Sequence, residues 1–141
     1  MTNRLVAALC LIATLLPASA GSGLRIAVIV NRDRPDSIER AAIADIYLRR
    51  RRFWDDGSPI IPLNREAGSP LREAFSRLVF GTGSDQLSAY WNEQYFHGVL
   101  PPATLPSSQA IRRFVASEPS AIGYVEAGEA DSTVRVAAIL E

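Results

Sequence analysis

Ile60-Ile61-Pro62-Leu63-Asn64-Arg65-Glu66-Ala67-Gly68-Ser69-Pro70-Leu71-Arg72-Glu73-Ala74-Phe75 is the stretch that decides the reading of this chain. Its apolar start, Ile60 to Leu63, predicts a short buried strand that stops at a polar turn. Ser69 then stands where a helix wants its N-cap. Pro70 falls at the first helical position, where proline's missing N–H would be unpaired anyway. Leu71, Ala74, Phe75, Leu78 and Val79 recur at helical spacing. A strand that hands an arginine and a capping serine to a helix N-terminus makes a seat for an anion. Free N–H groups and the helix dipole supply part of the field, and the guanidinium supplies a full charge.

On the N-terminal side, the first twenty residues read as a leader rather than as part of the fold. Arg4 gives a positive start, Leu5 to Leu16 an apolar run, and Pro17-Ala18-Ser19-Ala20 a small-residue cleavage site, the pattern of a secretory signal peptide. The apolar run is shorter than the roughly 20 residues a membrane span needs. Cleavage after Ala20 is expected, leaving residues 21–141 as one periplasmic domain with no membrane span. Cys10 would leave with the leader, so the remaining chain has no cysteine and must be held by its core, not by disulfides. Such a length can bury about two-thirds of its unfolded surface. A single histidine, His97, and no thiolate speak against a zinc centre, and no cofactor is implied. Every fixed cation is an arginine, and once Arg4 is removed these fall one short of the 15 acids.

Further along, Leu24 to Val30 is a near-continuous apolar run, the pattern of a strand covered on both faces. Ser37 is expected to cap a helix reaching about Leu48, with Ile38, Ala42, Ile46 and Tyr47 on one face. Arg49 to Arg52 end it, where a helix C-terminus favours cations. Asp55-Asp56-Gly57-Ser58-Pro59 is a turn cluster leading into the second strand. The helix from Pro70 runs to Phe80 and stops at Gly81-Thr82-Gly83. Ser84 is expected to cap another, whose stripe of Leu87, Tyr90, Trp91 and Tyr95 reads as core. After a proline-rich loop (Pro101, Pro102, Pro106), Ser107 caps a helix with Ile111, Phe114 and Val115 inward. Ala121 to Val125 and Val134 to Leu140 are the third and fourth strands. Strands alternating with helices predict an α/β fold: a single three-layer lobe with a small, mostly parallel sheet flanked by helices.

Three segments then carry a resemblance. Asp45-Ile46-Tyr47-Leu48-Arg49-Arg50-Arg51-Arg52-Phe53-Trp54-Asp55-Asp56-Gly57 resembles the I-F-x-G-K-x-x-x-W-x-D-G segment of periplasmic phosphate-binding proteins, the solute receptors of ABC phosphate importers. Pro62 to Ser69 is similar to their P-V-x-R-x-D-G-S-G-T element, and Ser120 to Glu126 to their G-S-I-G-Y-V-E strand. The similarity covers most of residues 24–128, in the family's order. It implies one lobe of a type 2 periplasmic binding protein, a non-catalytic role, and a small oxyanion such as phosphate as ligand. Arg65 and Ser69 match the family's phosphate-contacting arginine and serine, with Gly68 beside them in the same element. Pro70 and Leu71 replace the family's Gly and Thr, removing one N–H and one hydroxyl. Ala67 replaces its acid, and Glu66 is expected to point elsewhere. Each lost charge-assisted hydrogen bond is worth about 1.5–3 kcal/mol, so the resemblance implies weak binding by this chain alone, with an envelope protein partner as a way to complete the site.

Plainer readings stand beside these. Ser69 can simply cap its helix while Arg65 pairs with Glu66, Asp55 or another acid, leaving a ligand-free periplasmic interaction module built on a single receptor lobe. The Arg49–Arg52 run reads as a solvated helix end, and with export expected, no nucleic-acid partner is implied. Nucleophilic catalysis would need Ser69 or Ser84 with His97 and Asp85, and no supporting motif surrounds them. The chain is therefore read as a binding protein and not an enzyme.

Overall fold

The computed structural model describes residues 23–34 and 37–141, so the expected leader at residues 1–20 lies outside the described residues. Strand β1 (Ile26–Asn31) is buried at every position, and its alternating side chains divide the core in two. Ile26, Val28 and Val30 join Ile122 and Tyr124 on one face, under helices α1 (Arg40–Tyr47) and α2 (Pro70–Phe80). Ala27 and Ile29 join Leu63, Ala121 and Val125 on the other face, under helix α4 (Ser108–Ser117). Phe75 of α2 stacks on Tyr124 at 3.8 Å between ring centroids and meets Tyr47 edge-on at 4.7 Å. The three layers expected from the sequence are therefore present.

The sheet itself corrects one expectation. Its order is β3 (Ala103–Leu105), β2 (Ile61–Arg65), β4 (Ala121–Glu126), β1, β5 (Val134–Leu140). β2 runs parallel to both β3 and β4, whereas β1 is antiparallel to both β4 and β5. The sheet is mixed, not mostly parallel. Helical crossovers from β2 to β3 and from β3 to β4 do give parallel strands. Strand–helix alternation is silent, however, about the gap into which the first strand inserts, and β1 enters between β4 and β5 in the opposite direction. β3 was hidden by its prolines. It is a three-residue edge strand directly after Pro101 and Pro102, the place where proline interrupts least hydrogen bonding.

Local details shift in similar ways. α1 starts at Arg40 with Glu39 as N-cap and no side-chain capping bond, rather than at Ser37. Ile38 and Ile43, at the two positions of a hydrophobic staple, both enter the same core cluster and define the entry instead. Ser84 opens a 3₁₀ turn (Ser84–Leu87) that runs into helix α3 (Ser88–Phe96). No residue of α3 is buried, and Phe96 is 86 % exposed, so the aromatic stripe is not core. Its spacing is helical, but α3 lies outside both layers and is tied down by Tyr90, whose hydroxyl donates to Leu48 O at 2.6 Å. Phe114 likewise sits on the outer side of α4, while Ile111 and Val115 are fully buried. α4 approaches β4 closely at Gly123, where an added Cβ would lie 2.5 Å from Ile111 Cγ2. Among the described residues, no helix is long and apolar enough to cross a membrane.

Candidate functional site

Neighbouring parallel strands β2 and β3 each lead at their C-terminal end into a helix start. β2 passes through Ser69 into α2, and β3 through Ser107 into α4. Both serines cap as their positions require: Ser69 Oγ accepts from Arg72 N at 3.4 Å and Ser107 Oγ from Ala110 N at 3.0 Å. The two helices then pack on opposite faces of the sheet. A pair of adjacent strands whose connections leave to opposite faces creates a crevice at their C-terminal ends, and in open α/β sheets that crevice is where ligands bind.

Arg65, the last residue of β2, stands at this crevice in register with Leu105. Its side chain is 15 % exposed. Nη1 donates to Ser108 Oγ at 3.2 Å and Nη2 to Pro106 O at 3.3 Å, so the guanidinium reaches the start of α4. The same group forks onto the neighbouring carboxylate, with Nε to Glu66 Oε2 and Nη2 to Glu66 Oε1, both at 3.2 Å. Glu66 therefore does not point elsewhere, as the family match implied; it turns back and occupies the guanidinium, the pairing that the plainer reading of Arg65 and Ser69 expected. The hydrogen bond from Arg65 is the main reason its carboxyl is held below the usual range. Between Arg65 and the helix, Ser69 N donates to Glu66 O at 3.2 Å, and Gly68 takes φ 86°, a left-handed turn position that glycine adopts without strain. Arg65, Gly68 and Ser69 are thus brought onto one turn at the start of α2, with Ser69 buried and Gly68 exposed.

Sequence reasoning missed the surroundings of that turn. Arg72, three residues after the capping Ser69, folds back so that Nη1 donates to Arg65 O at 3.0 Å, and its buried Nε has no hydrogen-bond partner. Tyr124 from β4 accepts Arg65 N at 3.3 Å and donates to Asn64 Oδ1. Burial raises the Tyr124 phenol to about 12. The Ser107 cap was legible, but its arrival beside Arg65 depends on β3, which was not. Ser84, considered as a nucleophile, instead gives its hydroxyl to Glu73. Taken together, the Arg65 and Arg72 guanidiniums, the Glu66 carboxylate, two serine-capped helix N-termini and the hydroxyls of Ser69 and Ser108 meet at one crevice. Its donors suit an oxyanion where Glu66 gives way to it.

Fold and crevice define the class: one α/β lobe of the receptor type with a polar crevice at its switch point. A family model described as the PBP superfamily domain matches residues 25–139, and the chain belongs to that family. Two solved structures are similar over 80 % of this chain. One is a protein of Clostridium perfringens assigned as a phosphate ABC transporter substrate-binding protein and solved with bound phosphate, at 25 % identity and TM-score 0.65; the match covers 44 % of that chain. The other is an ABC-type phosphate transport receptor from Vibrio cholerae, at 20 % identity and TM-score 0.64, with 46 % of that chain covered. This chain thus spans under half the length of both. No curated protein matches the chain significantly.

Proposed function

We propose that this protein is an extracytoplasmic, non-catalytic solute-binding lobe that holds a small oxyanion such as phosphate at the crevice through Arg65, Ser69 and Gly68. The observation that supports this most directly is that Arg65, on the strand that leads into α2, reaches across to the start of α4, with Nη1 3.2 Å from Ser108 Oγ. Phosphate bound to the similar Clostridium perfringens protein supports the choice of ligand, and the apolar leader-like start of the chain supports export. In this reading Glu66 is an internal competitor. The seat is occupied by its own carboxylate, and an incoming oxyanion displaces it. Affinity is therefore modest, because exchanging one carboxylate for another anion gains only the difference between two similar charge-assisted pairs. A second envelope protein that contributes further donors would raise it.

The test is a melting-temperature series of the purified protein with phosphate and sulfate at millimolar concentration. An anion-dependent rise that disappears in Arg65→Ala supports the reading, since only a ligand that prefers the folded state stabilises it. No rise with either anion would remove autonomous binding.

A further inference from the structure

At the far ends of β2 and β3 from Arg65 lies a second, unrelated cleft of about 360 Å³. One wall carries Arg49 and Arg52; the other is apolar, formed by Ile60, Val99, Leu100 and Pro101. The four consecutive arginines divide their work. Arg50 faces Asp45 at 3.9 Å and Arg51 faces Asp55 at 3.2 Å. Among the described residues, Arg49 and Arg52 have no carboxylate within salt-bridge distance and bond only to carbonyls: Arg49 Nη1 to Ile60 O at 3.3 Å, and Arg52 Nε to Arg49 O at 3.2 Å. Two like charges thus neighbour each other at the cleft, Arg49 half-buried and Arg52 exposed. Burial, and then the neighbouring Arg52, push the Arg49 guanidinium below its usual value.

Arg49 also occupies a conformation that suits it poorly. It is the only non-glycine residue of positive φ among those described, at φ 61°. It directly follows the C-cap of α1, where helices end most easily on glycine. A side chain kept where it strains the backbone, with a like charge as a neighbour, is a cost to the fold that a ligand can offset.

We infer that the Arg49–Arg52 cleft is a binding site for a small organic oxyanion, a phosphonate or carboxylate carried on a compact apolar body. The head would take the two guanidiniums, which present planar forks to such groups. The body would cover the Ile60, Val99 and Leu100 wall, where Leu100 is 63 % exposed. The cleft volume falls at the low end of the roughly 300–1,000 Å³ that ligand sites occupy, which suits a single ring or branched chain. This site is independent of the crevice at Arg65 and stands or falls separately from it.

Calorimetric titration of the full chain with phenylphosphonate and benzoate tests the proposal, with benzyl alcohol as the uncharged body and inorganic phosphate as the bare head. Millimolar or tighter binding of phenylphosphonate is expected, with benzoate weaker and benzyl alcohol silent. Arg52→Gln is expected to weaken binding about ten- to a hundredfold, the loss of one charge-assisted pair. Arg49→Gly should remove this binding while raising the melting temperature, and the same titrations repeated in Arg65→Ala, where the first crevice cannot contribute, should still show phenylphosphonate binding that a further Arg52→Gln weakens. Absence of phenylphosphonate binding overturns the proposal, as does equal binding of benzyl alcohol or undiminished binding in Arg52→Gln. A lowered melting temperature in Arg49→Gly also overturns it, because Arg49 would then serve the fold and not a ligand. Phenylphosphonate binding lost in Arg65→Ala instead assigns the ligand to the other crevice and counts against this one.

Discussion

The hydroxyl of Tyr124 on β4 accepts the backbone N–H of Arg65 on β2 at 3.3 Å while its ring stacks on Phe75. One side chain therefore joins the core under α2 to the residue that carries the charge of the crevice. Tyr124→Phe keeps the stack and removes the hydroxyl, leaving Arg65 N and Asn64 Oδ1 without that partner. A loss of about 1 kcal/mol in urea unfolding is expected, together with a smaller anion-induced rise in melting temperature than in the unaltered protein.

Tyrosine ionisation offers a separate measurement on the same residue. Its raised value, about 12 against an ordinary 10.0, means that the folded state disfavours the phenolate. The stability linked to this group is full below pH 10, falls as pH rises through the window from 10 to about 12, and is gone above it. Absorbance titration should show two tyrosines ionising late in the native protein, Tyr47 and Tyr124, both raised chiefly by burial, and one of them should vanish from the curve of Tyr124→Phe.

Glu66 forks onto the Arg65 guanidinium, so the proposed oxyanion must displace it. Glu66→Gln removes the competing charge, and the sulfate-induced rise in melting temperature should grow. The pH dependence follows from the lowered carboxyl value: the stabilising pair with Arg65 is present above the unfolded carboxylate range and is lost as pH falls through the lowered value. In the unaltered protein the sulfate effect should therefore be larger at acid pH than at neutral pH. In Glu66→Gln this difference should shrink. Equal pH dependence in both proteins would refute the role of Glu66 as an internal anion.

Gly123→Ala tests the packing of α4. The added methyl would meet Ile111 Cγ2 at 2.5 Å, so the helix must move off the sheet. A loss of about 1–3 kcal/mol is expected from overpacking, measured by chemical denaturation.

Phe96→Ser tests the opposite case. With the ring 86 % exposed, the substitution should change stability by no more than about 0.5 kcal/mol. A buried aromatic would cost several times more.

The layers and the helix that starts at Ser69 could be read from the sequence because their signals are local. Ser69 and Pro70 cap within four residues, and the unbroken apolar run of β1 announces coverage on both faces. What could not be read depends on neighbours distant in the chain. The direction of β1 is decided by β4 and β5. The exposure of Tyr95 and Phe96 is decided by where α3 docks, which helical spacing leaves open. At the crevice, Arg65, Gly68 and Ser69 were legible as one element. Glu66 was read two ways: the family match sent it away from Arg65, and the plainer reading paired the two. The second holds, because the strand ends at Arg65 and the turn brings the carboxylate back. Ser108 joins through a three-residue edge strand that its prolines conceal.

The placing of β1 also bears on the order in which the molecule can form. Its only ladder partners, β4 and β5, begin at residues 121 and 134, near the other end of the sequence. A growing chain emerging from the ribosome would carry its most apolar strand without a partner until almost all of the described fold had been made. Completion of the sheet is thus a late and slow event, as long-range pairings are. Until then β1 has neither of its neighbours, and the sheet of the described residues cannot close.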